Sequence, residues 1–236
     1  ATAFAGLPAG PSPDAVAARP PAPADGWRIQ IVDKPERQQT QIMFGHTGPT
    51  VTDPNFLPLA LGMTAFGGRG MKSTMMDEIR TKRGLAYGAY MSLGARRGPG
   101  MLRGWVSTGA DKTVATLKLT LRLYKDLATK GLSAERVKFF QQFMAGSFAS
   151  DMDAPDARLE ARVAAELHAL PFDHVDTYVA RVGAITADQV NRALKQHLTP
   201  ANLIITLVAS AESLTKLLVA AKVSPGAIDV VDYRSH

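Results

Sequence analysis

The sequence predicts an α+β domain whose sheet is mainly antiparallel and is covered on one face by helices. Two short segments with alternating bulky and polar residues open the ordered part of the chain, and a second such pair forms a hairpin further on. A long run of helical periodicity separates these strands from one late strand. Because strands and helices come in groups, the order favours α+β over a strictly alternating α/β sheet. The 236 residues are sufficient for a substantial core.

Each element is predicted from its periodicity and its end signals. Strands are expected at residues 27–33, 39–46, 87–93, 101–108, 203–208 and 227–233. Helices are expected at residues 54–66, 73–82, 111–130, 133–152, 155–169, 173–182, 186–197 and 211–222. Asp53 as N-cap with Pro54 after it starts the first helix, and Thr186 with Gln189 forms a capping box further on. The strand at 203–208 is apolar on both faces, so a central place in the sheet is expected.

Residues 1–26 differ in composition from the rest of the chain. They are rich in alanine, glycine and proline, with six prolines and no helical or strand period. Such a segment cannot form a core, and it is predicted to be an extended linker or a strap laid over another surface. Residues 27–236 are then the domain. A linker at this end implies that something was once attached before it.

Composition excludes several classes of function. The chain has no cysteine, which excludes disulfides, cysteine-bound zinc and thiol nucleophiles. No apolar run reaches the ~18 residues of a membrane-spanning helix, so no membrane span is expected. The net charge of +6 comes from bases dispersed along helices, which favours a solvated face over a nucleic-acid site. No nucleic-acid partner is therefore expected.

The histidines do not form a metal motif. Neither HExxH nor HxxEH occurs among the five, which are His46, His168, His174, His197 and His236. Partly exposed or core-edge histidines are expected, and no metal ligand is predicted in this chain. The sequence also lacks a Gly-x-Ser-x-Gly elbow and a phosphate-binding loop.

Two local clusters are expected to be structural. A stripe of phenylalanines at helical spacing predicts core, with an interface patch as the less favoured alternative. A group of aspartates beside Pro155 is explained by helix capping better than by a metal. The phenylalanines are Phe139, Phe140, Phe143 and Phe148, and the aspartates are Asp151, Asp153 and Asp156.

The stretch from residue 66 to residue 90 contains the strongest candidate for chemistry. It begins with a glycine turn at Gly67 and Gly68, continues as a short helix capped by Ser73, and turns extended after a second glycine. Arg80 near the helix end and Tyr87 in the next strand are seven residues apart, so the turn between them could aim both side chains at one place. A helix-terminal cation and a core tyrosine explain the pair structurally. An anionic or carbonyl-bearing partner explains it functionally.

The same stretch, GGRGMKSTMMDEIRTKRGLAYGAY, resembles the C-terminal-half signature of the inverted-motif zinc peptidases. That family includes pitrilysin, insulin-degrading enzyme and the mitochondrial processing peptidase. Its signature has a glycine-rich loop, a Ser-Arg-Leu and an arginine seven residues before a tyrosine, in this order. QTQIMFGHTGP, DPNFLPLALGM and LPFDHVDTYVARVGAITADQVNRALKQHLTPANLIITLVA are also similar to family segments, so the resemblance covers roughly residues 27–210.

The resemblance implies a role for each part of the stretch. Arg80 and Tyr87 match the family pair that supports the substrate and transition state, and Gly67 and Gly68 match its substrate-binding loop. Thr74 stands where the family has the arginine of Ser-Arg-Leu. This departure affects the expected shape of the loop more than the expected role of Arg80 and Tyr87. The resemblance also implies that this chain binds no cofactor and that zinc is held by a partner half with HxxEH. The chain alone is therefore expected to be inactive.

Two functions remain open at this point, and a third rests on charge alone. The first is the non-zinc half of a zinc metallopeptidase, working with an HxxEH-bearing domain or subunit on a peptide substrate. The second is a catalytically inactive scaffold or binding subunit with the same fold, and the third is a nucleic-acid binder. The sequence leaves homo-oligomer formation open and does not determine the compartment. Similarity of GLAYGAY and its surroundings to periplasmic members suggests the bacterial envelope.

Overall fold

The computed structural model describes residues 25–223 and 228–235, together with residues 6, 8, 10 and 22. The predicted linker at 1–26 lies almost wholly outside these residues and stays a prediction, and His236 lies outside them too. Within the described part, the domain begins with a strand at Arg28. None of the helices in this part combines the length and the apolar character that a bilayer crossing requires.

Six strands form one mixed sheet in the spatial order β3-β4-β2-β5-β1-β6. The pairs β3–β4, β4–β2 and β2–β5 are antiparallel, whereas β1 lies parallel to both β5 and β6. The prediction of a mainly antiparallel α+β sheet is confirmed. The strands are β1 (Arg28–Asp33), β2 (Gln39–Gly48), β3 (Ala86–Leu93), β4 (Gly100–Gly109), β5 (Ile204–Ala209) and β6 (Ile228–Asp232).

Seven α-helices and three shorter helical turns make up the rest of the described fold. The α-helices are α1 (Phe56–Gly67), α2 (Thr113–Lys130), α3 (Ala134–Asp151), α4 (Pro155–Leu167), α5 (Tyr178–Gly183), α6 (Ala187–His197) and α7 (Ala211–Ala220). A π-helix spans Met76–Thr81, and 3₁₀ turns span Ala110–Lys112 and Phe172–His174. α1 packs against β3, α3 and α6, which places it at the centre of the helical layer.

The two faces of the sheet differ in burial because strand side chains alternate between them. On β2, Ile42 and Phe44 are buried against the helices, whereas Met43 between them is 37% exposed. Ile205 and Leu207 of β5 continue the buried face. The helices therefore cover one face, as predicted, and the other face is open. We call this second surface the open sheet face.

The central strand was predicted in the right place but with the wrong burial. β5 lies between β2 and β1, so its central position is confirmed. It is not buried on both faces, since Ile204 at its start is 50% exposed on the open sheet face. An apolar run predicts burial on both faces only if a second layer covers the sheet, and no such layer is present among the described residues.

Most helix ends follow the predicted capping signals. The capping box of Thr186 and Gln189 is present at the start of α6 in both directions. Ser133 accepts a hydrogen bond from the backbone N–H of Arg136 and caps α3 as predicted. Gly131 ends α2 with a φ of 68°, a left-handed conformation that glycine adopts without strain.

Two predicted capping side chains bond elsewhere. Asp53 is not the N-cap of α1, which is Asn55, and its Oδ1 accepts from the Asn55 N–H at 2.7 Å in a turn that precedes the helix. Ser73 does stand directly before the next helical run, and its carbonyl accepts from the Asp77 N–H at 2.9 Å, but its hydroxyl donates back to the carbonyl of Gly70 at 3.4 Å. Both side chains compete for local backbone groups, which is how short polar residues commonly form turns instead of caps.

Candidate functional site

The segment between α1 and β3 positions both residues of the predicted pair. The helix after the glycine turn is π-helical from Met76 to Thr81, and its end is closed by a hydrogen bond from the Gly84 N–H to the Arg80 carbonyl at 2.9 Å. Gly84 has a φ of 56°, so the chain reverses at a residue without a Cβ, as predicted. β3 then starts at Ala86, and Tyr87 follows Arg80 after this single turn.

Arg80 and Tyr87 are in contact on the surface. The guanidinium carbon of Arg80 lies 5.1 Å from the centroid of the Tyr87 ring, which is a cation–π arrangement. Tyr87 is 80% exposed, next to the irregularity in the β3–β4 pairing between Ala86 and Gly88. Tyr87 is therefore not a core residue, so the structural explanation that the sequence offered for it is wrong. The two side chains that the sequence singled out do come together.

The charged side chains next to Arg80 pair with one another. Glu78 accepts from Lys82 and from Arg83 at 2.6 Å each, and Lys82 also lies 2.9 Å from Asp77. These hydrogen bonds, that from Lys82 first, lower the pKa of the Glu78 carboxyl. Among the described residues no carboxylate lies within 4.0 Å of Arg80, whose Nη1 contacts only the Met71 sulfur, at 3.6 Å. Its other N–H groups can therefore serve a partner outside this chain.

The two glycines predicted to bind substrate have packing reasons to be glycine. A Cβ on Gly67 would lie 2.5 Å from the Met91 nitrogen, so α1 could not approach β3 this closely with any other residue. A Cβ on Gly68 would lie 2.7 Å from the Thr64 Cα. Both glycines also line a cleft of about 580 Å³ beside β3. Their role in substrate binding stays a prediction.

Arg136 is a residue that the sequence did not single out. From α3 it donates through Nη2 to the carbonyls of Ala65 (3.2 Å) and Lys72 (2.6 Å) and to the hydroxyl of Thr74 (3.2 Å). It thereby ties both ends of the glycine turn to the helical layer. Its guanidinium also lies 5.0 Å from the Phe140 ring centroid. Thr74 stands where the family signature has an arginine. In this chain Arg136, from another helix, brings a guanidinium to that place.

A buried polar cluster lies on the helical side of β2. One ring nitrogen of His46 lies 2.6 Å from the Tyr124 hydroxyl and the other 2.7 Å from the Thr47 carbonyl, so both are engaged. Burial lowers the pKa of His46 and raises that of Tyr124. His197 is 3.9 Å from an Asp53 oxygen, and its Nε2 has no hydrogen-bond partner among the described residues.

These groups do not fit a zinc ion. A zinc site needs three or four nitrogen, oxygen or sulfur ligands converging on one point. Within residues 25–223 and 228–235, no three histidine, aspartate or glutamate side chains converge in this way. His46 already uses both of its ring nitrogens, which leaves it no free ligand atom.

The fold and the site together define a class of protein. It is an α+β domain that presents an exposed arginine–tyrosine pair and that shows no metal-ligand cluster in its described part. A family model described as the peptidase M16 inactive domain matches residues 1–142, which is more than half of the sequence. The chain belongs to this family, and the resemblance found in the sequence is confirmed.

Curated relatives carry the same domain within longer chains. An uncharacterized zinc protease of Streptomyces coelicolor is 25% identical over 181 residues, which is 74% of this chain and 39% of that protein. An uncharacterized zinc protease of Bacillus subtilis is 21% identical over 170 residues, 72% of this chain and 41% of that protein. The chain therefore spans about two fifths of the length of these relatives.

Solved structures share the fold. A peptidase M16 inactive domain from Pseudomonas fluorescens has a TM-score of 0.75 at 24% identity and covers 82% of this chain and 45% of that chain. The inactive peptidase domain of a zinc protease from Bordetella parapertussis has a TM-score of 0.59 at 20% identity. It covers 72% of this chain and 91% of the Bordetella chain, so a domain of this extent is a folded unit by itself.

Proposed function

We propose that this chain is the non-zinc half of a zinc metallopeptidase. In this proposal it closes a substrate chamber and supplies Arg80 and Tyr87 to a zinc site that another domain or subunit holds. The observation that carries the proposal is the contact of these two side chains on an exposed surface, with no carboxylate near Arg80 among the described residues. The two acids next to Arg80 are already engaged, because Asp77 and Glu78 pair with Lys82 and Arg83.

The chemistry of the pair suits a peptide carbonyl. An arginine guanidinium offers five N–H donors in a fixed plane, and a tyrosine offers one O–H donor. The Arg80 guanidinium lies 5.1 Å from the Tyr87 ring centroid, and among the described residues its hydrogen bonding is limited to that of Nη1 with the Met71 sulfur, so its other N–H groups remain available. Donors that are fixed before the reaction stabilise negative charge that develops on a carbonyl oxygen in the transition state. The two side chains would therefore bind the substrate carbonyl and its oxyanion together.

The partner in this proposal is an HxxEH-bearing zinc domain or subunit. This chain spans only about 39–41% of the Streptomyces and Bacillus zinc proteases, so those proteins contain a further region large enough for such a domain. The open sheet face supports the same idea, because Met43, Met101 and Ile204 are 37–50% exposed there. Exposed apolar residues grouped on one face commonly mark a surface that another protein part covers.

The proposal is tested by adding the chain to its zinc-bearing half and measuring peptide cleavage. Arg80→Ala and Tyr87→Phe are each expected to lower kcat by about 10–10³-fold, the scale for loss of one oxyanion donor. The matched controls are Arg83→Ala, three residues after Arg80, and Tyr233→Phe, just after the far edge strand β6, and each should leave kcat within about twofold. The chain alone should bind no stoichiometric zinc and cleave no peptide. Metal analysis that finds one tight zinc in it would contradict the assignment.

A catalytically inactive scaffold is the second candidate. A relative from Helicobacter pylori is named a non-peptidase homolog, and it is 22% identical over 130 residues, 55% of this chain and 30% of that protein. The fold also occurs in a structure of Complex III from Candida albicans, with a TM-score of 0.68 at 11% identity over 80% of this chain. Unchanged cleavage by both Arg80→Ala and Tyr87→Phe would favour this second function.

A further inference from the structure

A cleft of about 580 Å³ runs beside β3, between the glycine turn and α3. We call it the β3 cleft. Its size lies within the range of sites that bind small ligands or single side chains. The residues that carry the argument line it from both sides and are Gly67, Arg69, Tyr90, Trp105, Phe143 and Asp151.

One wall of the β3 cleft is a flat aromatic surface. Tyr90 of β3 and Trp105 of β4 are cross-strand partners, and their rings stack with centroids 5.8 Å apart and planes 12° apart. Gly88 makes this possible, because a Cβ there would lie 2.9 Å from the Tyr90 ring and 3.0 Å from the Trp105 ring. The two rings thus lie close over the strand, and Tyr90 remains 40% exposed.

The part of the lining that α3 contributes includes a phenylalanine that the sequence placed in the core. Phe143 of α3 is 37% exposed and Phe139 is 46% exposed, so the core prediction is wrong for these two residues, whereas Phe140 is buried as predicted. The Phe143 ring packs edge-on against Phe140, with centroids 5.9 Å apart and planes at 70°. It also lies 3.9 Å from the position of a Cβ on Gly70. Phe143 is therefore held in place by the core on one side and exposed on the cleft side.

The β3 cleft and the arginine–tyrosine pair share β3 and the segment that precedes it. Tyr90 lies three residues along β3 from Tyr87, which is ~10 Å at the rise of a strand. On the other side, Gly67 and Arg69 line the cleft, and Met71, just after them, contacts Arg80. A peptide whose carbonyl lies at Arg80 and Tyr87 would place a side chain two or three residues away into the cleft.

We propose that the β3 cleft binds a large apolar side chain, aromatic for preference, of the substrate peptide. The inference rests on the proposed function and adds a specificity site to it. Stacked and edge-on aromatic pairs are the arrangements in which a further ring gains most from burial. The charged groups on the rim, Arg69, Arg103 and Asp151, are exposed and sum to one positive charge, which disfavours a lysine or arginine side chain there.

The test uses Trp105 as a reporter in the isolated chain, without the zinc half. The chain has two tryptophans. The other one, Trp27, does not line the cleft, and its indole N–H donates to the Pro200 carbonyl at 2.7 Å. In Trp27→Phe protein, Trp105 is the sole reporter. Blocked pentapeptides with four alanines and a central phenylalanine, alanine, lysine or glutamate are titrated while Trp105 emission is recorded. The phenylalanine probe should bind at least about tenfold more tightly than the other three.

Matched variants on one helix locate the binding. Phe143→Ala should weaken binding of the phenylalanine probe at least about fivefold. Phe139→Ala removes a phenylalanine of α3 that is more exposed, at 46%, and does not line the cleft, so it should change binding by less than twofold. Ser147→Phe, which adds a ring to the lining, should abolish binding. Circular dichroism of each variant shows whether it is folded.

Several results would overturn the inference. They are tighter binding of the glutamate or lysine probe, equal effects of Phe143→Ala and Phe139→Ala, or no saturable change in Trp105 emission up to about 5 mM phenylalanine probe. The outcome is separable from that of the proposed function. If the probe binds but Arg80→Ala cleaves normally, the proposed specificity site stands and the catalytic role of Arg80 is refuted. If Arg80→Ala strongly lowers cleavage but the probe does not bind, the catalytic role stands and the specificity site is refuted.

Discussion

Replacing Arg136 with methionine should loosen the glycine turn that precedes the arginine–tyrosine pair. Methionine keeps an unbranched apolar stem but removes the guanidinium, and with it the side-chain hydrogen bonds that Arg136 donates and its cation–π contact with Phe140. The carbonyls of Ala65 and Lys72 and the hydroxyl of Thr74 then lose this partner. The turn would be held by α1 and β3 alone, without its tie to α3.

The size of the effect follows from these contacts. Leaving a buried acceptor without a partner costs about 1–3 kcal/mol. The bonds to Ala65 and Thr74 are part-buried, whereas the shortest bond, to the Lys72 carbonyl at 2.6 Å, is exposed and contributes less. Burial lowers the pKa of Arg136, which shows that the guanidinium is partly removed from water. Because it is only half-buried, water can replace part of what is lost. We expect Arg136→Met to lower the free energy of unfolding by about 1–3 kcal/mol.

Urea unfolding at pH 7 measures this loss, with Arg122→Met as the control. Arg122 is exposed on α2 and makes no hydrogen bond among the described residues, so its replacement should change stability by less than about 0.5 kcal/mol. Amide hydrogen exchange should also accelerate at residues 67–74 in Arg136→Met and not in Arg122→Met. Equal effects of the two substitutions would refute the assignment of Arg136 as the tie between α3 and the glycine turn.

The remaining predictions concern close packing and pH. Gly67→Ala should destabilise the fold by about 1–3 kcal/mol, because the added Cβ would meet the Met91 backbone. Gly146→Ala is the control: Gly146 is exposed in α3 with nothing within 4 Å of the added Cβ, so this variant should be more stable by about 0.5–1 kcal/mol. Thermal unfolding measures both, and stabilisation by both substitutions would contradict the close packing of Gly67. Burial holds the pKa of His46 below its ordinary value of 6.5, so the folded state favours the neutral ring. The stability that this pKa difference contributes is therefore present above pH ~6.5 and is lost as the pH falls below that value. In urea unfolding at several pH values, His46→Gln should show a weaker pH dependence than the unchanged chain. Parallel pH profiles of the two proteins would contradict this role of His46.

The order of elements followed from local patterns and was predictable. Strand alternation, capping signals at Thr186 and Ser133, and the glycines that end helices act over a few residues, so the sequence contains them directly. The errors occurred where a local signal had a competing partner. The Asp53 and Ser73 side chains bond to turn backbone instead of capping a helix, and a capping pattern does not distinguish the two uses.

The candidate site was predictable only in part. Arg80 and Tyr87 are separated by one turn, and the glycine between them predicts that they could meet. Exposure could not be predicted in the same way. Phe143 and Phe140 have the same chemistry and lie on the same helix, yet one is half-exposed in a cleft and the other is buried, because burial depends on which elements pack around α3.

The sequence by itself determined the family, the order of elements and the pair at Arg80 and Tyr87, because each depends on residues close together in the chain. Only the tertiary structure decided what is joined over distance. Arg136 bonds to Thr74 across 62 residues, and His46 bonds to Tyr124 across 78. The β3 cleft likewise needs the packing of two strands, α1 and α3 against one another. Such contacts depend on the whole chain packing into one fold, so no local pattern of residues predicts them.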